Sequence, residues 1–466
     1  MATTTEFDTL VIGGGPGGYT AALRSAQLQR RTALVERESL GGICLNWGCI
    51  PTKSLLHTAH VLRQFRHAGA LGISAEVAGV DFGRVVARSR EVAQRLNRGV
   101  AHLLRKAGVT VLQGEAAFSS AGAVEVRLAG GDAQRIQARH VVIATGARAR
   151  PLSGLPFGHA RVWSYREALA APALPRTLVV VGAGAIGMEF ASFYATLGTR
   201  VTLVEAQPRL LPSSDADVSR FVEQSFQRDG VAVRLNATVS KATLDDGGVR
   251  LEIASPAGRE TLEAERVLVA IGLAANTEAL HLEHTGVRVD RGFVVADAAG
   301  ATADPAVHAI GDVTGAPMLA HRAIHQGMAC AERIAGQPVD AHAHPLIPSC
   351  VYSHPQSAGV GLTEEQARAQ RPKVRVGRFP LEANGKAIAI GEPSGFVKTI
   401  FDGETGELLG AHIVGPDAPE LIHGFTLAAS MEATEDQLIQ TVFPHPTISE
   451  AMHESVLAAF GRPIHI

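Results

Sequence analysis

Two glycine-rich turns constrain this chain more than any other feature. Gly13-Gly14-Gly15-Pro16-Gly17-Gly18 carries glycine at its first, third and sixth places, and Gly182-Ala183-Gly184-Ala185-Ile186-Gly187 repeats the pattern. Each turn follows a strand-like run, Thr9 to Ile12 or Leu178 to Val181, and precedes a helix-like run, Tyr19 to Leu28 or Met188 to Leu197. A second strand comes next, Thr32 to Val35 or Val201 to Val204. This order is a βαβ unit. Its first glycine permits a tight turn, its second lets backbone approach a pyrophosphate, and its third lets helix pack close on strand. The helix start favours the phosphate charge. Glu36 and Glu205 end the second strands, where a carboxylate can accept from ribose hydroxyls. A carboxylate at 205 also repels a 2′-phosphate, which points to NAD over NADP. Gly13, Gly15, Gly18 and Glu36 are expected at one dinucleotide, and Gly182, Gly184, Gly187 and Glu205 at another. Singly, each glycine turn could be only a turn and each Glu an exposed strand end. Two such sites in one chain suggest two cofactors passing a hydride.

At 466 residues the chain suggests about three domains. Proline-bearing stretches at 151–156 and 172–175 read as linkers flanking the start of the second unit. From about Pro345 onward, strand-like runs (Val397 to Phe401, Leu408 to Val414) alternate with a helix-like run (Glu420 to Met431), and no nucleotide motif appears. The net charge of −2 supplies no basic field for nucleic acid or anionic lipid. No apolar run reaches the roughly 18 residues of a membrane span. The polar, acidic N-terminus, Met1 to Asp8, lacks the features of a signal or transit peptide, so a cytoplasmic location is expected. Four cysteines make no disulfide scaffold.

The segment Cys44-Leu45-Asn46-Trp47-Gly48-Cys49-Ile50-Pro51-Thr52-Lys53 carries the chemistry. Two cysteines five apart at a helix start can approach to disulfide distance, and the helix dipole favours a thiolate. Lys53, one of only six lysines, follows one helical turn later. A zinc site would recruit His57 and His60, but the spacing is not the usual one, and a flavin fold gives a disulfide its electron partner; no metal is expected. Thr145 and Gly146 follow the strand Val141 to Ile143, where chain can pass close to a ligand, and Asp312 ends another strand, where it could accept from ribityl hydroxyls. In Pro444-His445-Pro446-Thr447-Ile448-Ser449-Glu450 a carboxylate could orient an imidazole and leave its other nitrogen as a base. Cys330 and Cys350 read as buried small apolar residues.

With these stretches, and with Pro317-Met318-Leu319-Ala320-His321 and Glu454-Ser455-Val456-Leu457, the chain resembles the dihydrolipoamide dehydrogenases among the class I pyridine nucleotide–disulfide oxidoreductases. The resemblance covers essentially the whole chain. It implies an α/β fold with two Rossmann-like dinucleotide-binding domains plus a C-terminal α+β dimerisation domain. The divisions would be 1–150 for FAD, 151–275 for NAD, 276–345 returning to the FAD-binding region, and 346–466 for the interface. It implies FAD at the first glycine turn and NAD at the second. Cys44 would exchange with substrate, Cys49 would touch the flavin, and Lys53 would lie by the flavin ring. Met318, Leu319 and Ala320 would also meet FAD, Ile186 and Glu189 would lie by the nicotinamide, and Gly272 would contact cofactor. His445 would be the base and Glu450 its orienter, supplied by the other subunit of a homodimer. The implied partner is a lipoyl-bearing acyltransferase subunit or lipoyl carrier protein of a 2-oxo acid dehydrogenase or glycine cleavage complex. The glutathione and trypanothione reductases use NADPH, against which Glu205 argues. Mercuric reductase and large thioredoxin reductases need a C-terminal cysteine pair, and no cysteine follows Cys350. A flavin-bound assembly module without turnover would have had no use for Cys44, Cys49, His445 and Glu450.

Overall fold

The computed structural model describes residues 5–120, 122–340 and 346–466. The first four residues of the acidic N-terminal run, and Pro345, where the third segment was expected to begin, lie outside them. The described residues form two compact units: those within 1–54, 83–150 and 272–344 make the first, and those within 55–82, 151–271 and 345–466 the second.

The first unit is built on a parallel sheet in the order Thr110–Ser120, Thr32–Glu36, Thr5–Ile12, Ala133–Ile143, Val307–Ala309. Leu10, Val11, Leu34 and Val141 are fully buried, as the continuous apolar runs of a parallel sheet covered on both faces require. The outer parts of Thr110–Ser120 and Ala133–Ile143 pair antiparallel with Ala123–Leu128. Helix Pro16–Gln27 lies against helix Ala320–Ile334. A Cβ on Gly327 would fall 2.5 Å from the Gly17 carbonyl oxygen, so glycine sets how near the two backbones come.

In the second unit a parallel sheet runs Ala232–Arg234, Arg200–Val204, Thr177–Val181, Arg266–Val269, Val162–Trp163. Helix Ala185–Leu197 follows its glycine turn, and a three-stranded meander spans 238–264. The C-terminal part holds an antiparallel sheet, in which Phe396–Asp402 and Leu408–Val414 are buried along their whole length. Helices Ala418–Ser430 and Glu450–Ala459 cover this sheet through Ile422, Phe425, Met452 and Val456. The expected runs of this segment are therefore present: the strand Leu408–Val414 has the expected bounds, and the other strand and the helix differ by a residue or two at their ends. No described helix is long and apolar enough to cross a membrane.

Residues 151–271 and the C-terminal segment share one unit, and a buried ion cluster ties them. Lys398, on the strand Phe396–Asp402, places its Nζ 2.8 Å from Asp215, 2.7 Å from Asp217 and 2.8 Å from Glu364. Asp215 also caps helix Ala216–Arg228 through the Asp217 amide and accepts from the Glu364 amide. Burial alone would raise the Asp215 carboxyl, but the bonds from Lys398 and Glu364 outweigh it and hold its pKa below the ordinary value. Lys398→Met keeps the bulk and removes the charge, leaving Asp215 buried without its counter-charge, and should cost about 3–5 kcal/mol. Denaturant unfolding of the intact protein measures this; a loss within about 1 kcal/mol, as for an exposed pair, would deny the cluster its role. Because the folded pKa of Asp215 is depressed, its stabilisation is present above the ordinary value near 3.8 and fades as pH falls through the lower folded value.

Candidate functional site

The strand Thr5–Ile12 runs into Gly13 at φ 105°, where a Cβ would collide with the carbonyl oxygen of Ala144 on the neighbouring crossing. A Cβ on Gly18 would strike the Gly13 carbonyl oxygen. Gly15 differs, because a Cβ there would meet nothing within 4 Å, and no side chain caps the helix that begins after it. The second turn repeats each feature: Gly182 has φ 102° against the Ala270 oxygen, Gly187 meets the Gly182 oxygen, and Gly184 is open and uncapped. Two turns so alike, each leaving its middle glycine and helix start open, fit two pyrophosphates.

The carboxylates at the strand ends brace these turns. Glu36 accepts from the Gly14 amide at 2.7 Å through Oε2 and from the Glu38 amide at 2.7 Å through Oε1. Glu205 does the same with the amides of Ala183 at 2.7 Å and Gln207 at 2.8 Å. Both are buried, and their spare lone pairs remain for ribose hydroxyls. In the first unit Thr145 donates to the Asn276 carbonyl at 2.8 Å, and Asn276 returns a bond to the Thr145 carbonyl at 2.9 Å. Gly146 has φ 67° and faces open space. Gly272 lies beside this crossing, accepting from the Arg150 amide at 3.0 Å before the strand Leu273–Ala275. Asp312 sits in the turn Gly311–Thr314; burial pushes its carboxyl up and Arg322 opposes. Met318 and Leu319 lead into helix Ala320–Ile334, whose N-terminus at Leu319 has no side-chain cap. In the second unit Ile186 is half-buried, while Glu189 is buried and accepts from the Tyr352 amide at 3.1 Å.

The two cysteines were expected at one helix start, but they lie on two helices. Cys44 belongs to the short helix Gly42–Trp47, Gly48 breaks it at φ −145° and ψ −113°, and Cys49 opens helix Cys49–His67. Both are thiols in this structure. The hydrogen bond between them pushes the Cys44 thiol far up, burial and the charge of Cys49 add to this, and Lys53 opposes it.

A support absent from the sequence reading holds the short helix. Asn46 donates to the carbonyls of Leu40 and Gly42, both at 2.9 Å, and Asn97 donates to Leu40 at 2.7 Å. Arg90 donates to the Asn46 carbonyl at 2.6 Å, and its guanidinium lies 4.7 Å from the Trp47 ring centroid. Asn97 and Arg90 come from helix Phe82–Lys106, so no local spacing signals them. Asn46 stands inside the cysteine motif and could have been singled out there.

His445 Nδ1 lies 2.9 Å from Glu450 Oε1, and Glu450 Oε2 accepts from the Thr447 amide at 2.9 Å. Burial alone would raise the Glu450 carboxyl, but the Thr447 amide and His445 outweigh it and lower its pKa. The carboxylate assigns the proton to Nδ1 and leaves Nε2 as acceptor. The His445 side chain is 80% exposed in the single chain. The dithiol belongs to the first unit and the His445–Glu450 pair to the second. Of the remaining cysteines, Cys330 is fully buried as expected, whereas Cys350 is only half-buried at the edge of the C-terminal core.

Residues 7–327 match the pyridine nucleotide-disulphide oxidoreductase family, and residues 347–456 match that family's dimerisation domain. A dihydrolipoyl dehydrogenase of Zymomonas mobilis is 50% identical over 465 residues, covering 99% of each chain. One from Rhizobium etli is 45% identical over 480 residues, again covering 99% of each. Among solved structures, LpdA of Mycobacterium tuberculosis has a TM-score of 0.90 at 29% identity, covering 97% of this chain and 99% of its own. The HOCl-induced flavoprotein disulfide reductase RclA of Escherichia coli has a TM-score of 0.87 at 28% identity, with the same coverage.

Because Glu205 braces its turn, its expected part in nucleotide choice calls for a test that spares the turn. Alanine would release two amides, one in the turn and one beyond the strand, whereas Glu205→Gln keeps an acceptor and removes the charge. The ratio of kcat/KM for the phosphorylated over the unphosphorylated nicotinamide dinucleotide should rise by roughly tenfold, the worth of one charged hydrogen bond. An unchanged ratio in steady-state assays would separate Glu205 from ribose recognition.

Proposed function

The chain belongs to the pyridine nucleotide–disulphide oxidoreductases, and within that family we propose that it is a dihydrolipoyl dehydrogenase, oxidising protein-bound dihydrolipoamide to lipoamide with NAD⁺ as acceptor. What carries the reading is the Cys44–Cys49 pair: two thiols in hydrogen-bonding contact, in the same unit as a dinucleotide cradle. A dithiol that can close to a disulfide is the group a dihydrolipoyl arm exchanges with.

In this reading the pair starts oxidised. His445 Nε2 takes a proton from one substrate thiol, and Glu450 steadies the imidazolium. The substrate thiolate attacks the Cys44 sulfur; a mixed disulfide forms, the Cys44–Cys49 bond breaks, and Cys49 leaves as thiolate. The second substrate thiol then attacks the substrate sulfur of the mixed disulfide, closing lipoamide and releasing Cys44, to which its proton passes. Two electrons now rest on the dithiol. A bound FAD would supply the redox chemistry by which these two electrons, together with a proton, reach NAD⁺ as a hydride. Gly13, Gly15, Gly18, Glu36, Lys53, Thr145, Gly146, Gly272, Asp312 and residues 318–320 are assigned to FAD. Gly182, Gly184, Ile186, Gly187, Glu189 and Glu205 are assigned to NAD. Residues 1–150 and 276–345 would form the flavin-binding region, 151–275 the NAD domain and 346–466 the interface domain. The enzyme would work in the cytoplasm as a homodimer, serving a lipoyl-bearing subunit or carrier of a 2-oxo acid dehydrogenase or glycine cleavage complex.

The base and the dimer are tested together. His445→Gln and Cys44→Ser homodimers should each be nearly inactive with dihydrolipoamide. Unfolded and reassembled one to one, half the dimers should be mixed, each with one site holding both intact residues. Recovered activity should approach about one quarter of wild type under random assembly with independent sites. A mixture verified as heterodimeric yet inactive would sink the shared site, and an inactive wild type would sink the substrate assignment.

A further inference from the structure

The chemistry above leaves one ligand-bearing cluster unused. Two short 3₁₀ turns, Glu278–Leu280 and Leu282–His284, meet at His281, whose backbone is left-handed at φ 54° and ψ 51°. That reversal alternates the side chains. Leu280 is buried and Leu282 partly buried against the core of the first unit, while His281, Glu283 and His284 are exposed together. His281 Nδ1 lies 3.0 Å from Glu283 Oε1, and the two imidazoles stack with centroids 6.2 Å apart and planes 25° from parallel. One ligand atom from each of the three residues lies within 4.8 Å of the others, the only such group among the described residues.

The platform under these side chains is fixed. Thr285 donates from Oγ1 to the Leu282 carbonyl at 2.7 Å, and the Gly286 amide donates to Asp304 at 3.0 Å. The backbone is therefore set, and only exposed side-chain torsions need adjust. Ligand atoms about 2.1 Å from one ion lie roughly 3–3.5 Å apart, a change that small rotations supply. Two imidazole nitrogens and one carboxylate oxygen form a borderline donor set suited to zinc, copper or nickel; magnesium and calcium prefer oxygen alone.

We propose that His281, Glu283 and His284 form a binding site for a divalent transition-metal ion of the zinc class, completed by water. This departs from the expectation that the chain holds no metal, and it uses neither the dithiol nor the dinucleotide cradles. No electron transfer is involved: the ion binds as a Lewis acid with its oxidation state unchanged.

The test uses tag-free, FAD-loaded protein with the Cys44–Cys49 pair oxidised, so that those sulfurs are not competing ligands. Zinc(II) is titrated by calorimetry into chelator-treated wild type and into the His281→Asn, His284→Gln double variant. Asparagine tolerates the left-handed backbone at 281, so the turn is kept. Wild type should bind one more zinc per chain than the double variant. Glu283→Gln should weaken that site by about tenfold or more, at least the effect of losing a supporting residue around a metal. Lipoamide turnover in chelator and the flavin absorbance should be the same in all three proteins, separating loss of zinc from loss of fold. Equal zinc stoichiometry and affinity in wild type and double variant would overturn the site.

Discussion

A buried carboxylate bonded to backbone amides is the interaction on which both nucleotide cradles depend. A parallel strand that ends in a glycine turn leaves amides without strand partners, and a buried carboxylate without a cation needs donors. Glu36 and Glu205 meet both needs at once. Each takes one amide inside its turn, from Gly14 or Ala183, and one from the loop beyond its own strand, from Glu38 or Gln207. Charge-assisted bonds of this kind are short and strong, so the turn is shaped before any ligand arrives. The same oxygens keep lone pairs for a ribose. A change at either residue is therefore first a change in the shape of its turn.

The dithiol is held by a different device. Gly48 separates the two cysteine-bearing helices, so Cys44 and Cys49 meet across a break and not along one helical face. The short helix that carries Cys44 has too few residues to persist by its own hydrogen bonds. Asn97 and Asn46 grip the Leu40 carbonyl before it, and Arg90 grips the Asn46 carbonyl within it while lying over Trp47. The backbone on both sides of Cys44 is therefore anchored to helix Phe82–Lys106. The Cys44 sulfur thus sits on a support that involves neither thiol.

What could be read from sequence follows from how far apart the interacting residues lie. The glycine turns, the acids at the strand ends, the cysteine motif and the His445–Glu450 pair were legible because each is a short spacing with a direct geometric meaning. The long apolar strands were legible from composition, but their ends were not: Thr9 to Ile12 proved to start at Thr5 and Val141 to Ile143 at Ala133, because hydrogen bonding, not apolar character, decides where a strand stops. The cysteine helices were misjudged as one because Gly48 breaks the helix through its dihedral angles, which no pattern reports. Lys398 was invisible for another reason. Its partners Asp215, Asp217 and Glu364 stand in two other stretches of chain, and a lysine in an apolar run reads as a strand edge until its neighbours in space are known. Arg90 and Asn97 escaped in the same way.

His445 raises a point that a single chain leaves incomplete. Its Nδ1 is committed to Glu450, and Glu450 is committed in turn to the Thr447 amide, so the imidazole is oriented by local structure alone. Yet the ring is 80% exposed. An imidazole standing in water exchanges protons with solvent as readily as with a thiol, and the advantage of a positioned base is lost. Orientation without cover is half of a catalytic group. Both residues fall inside the segment that matches the family's dimerisation domain, residues 347–456. For the base role proposed above, the cover would come from a second copy docked through this segment.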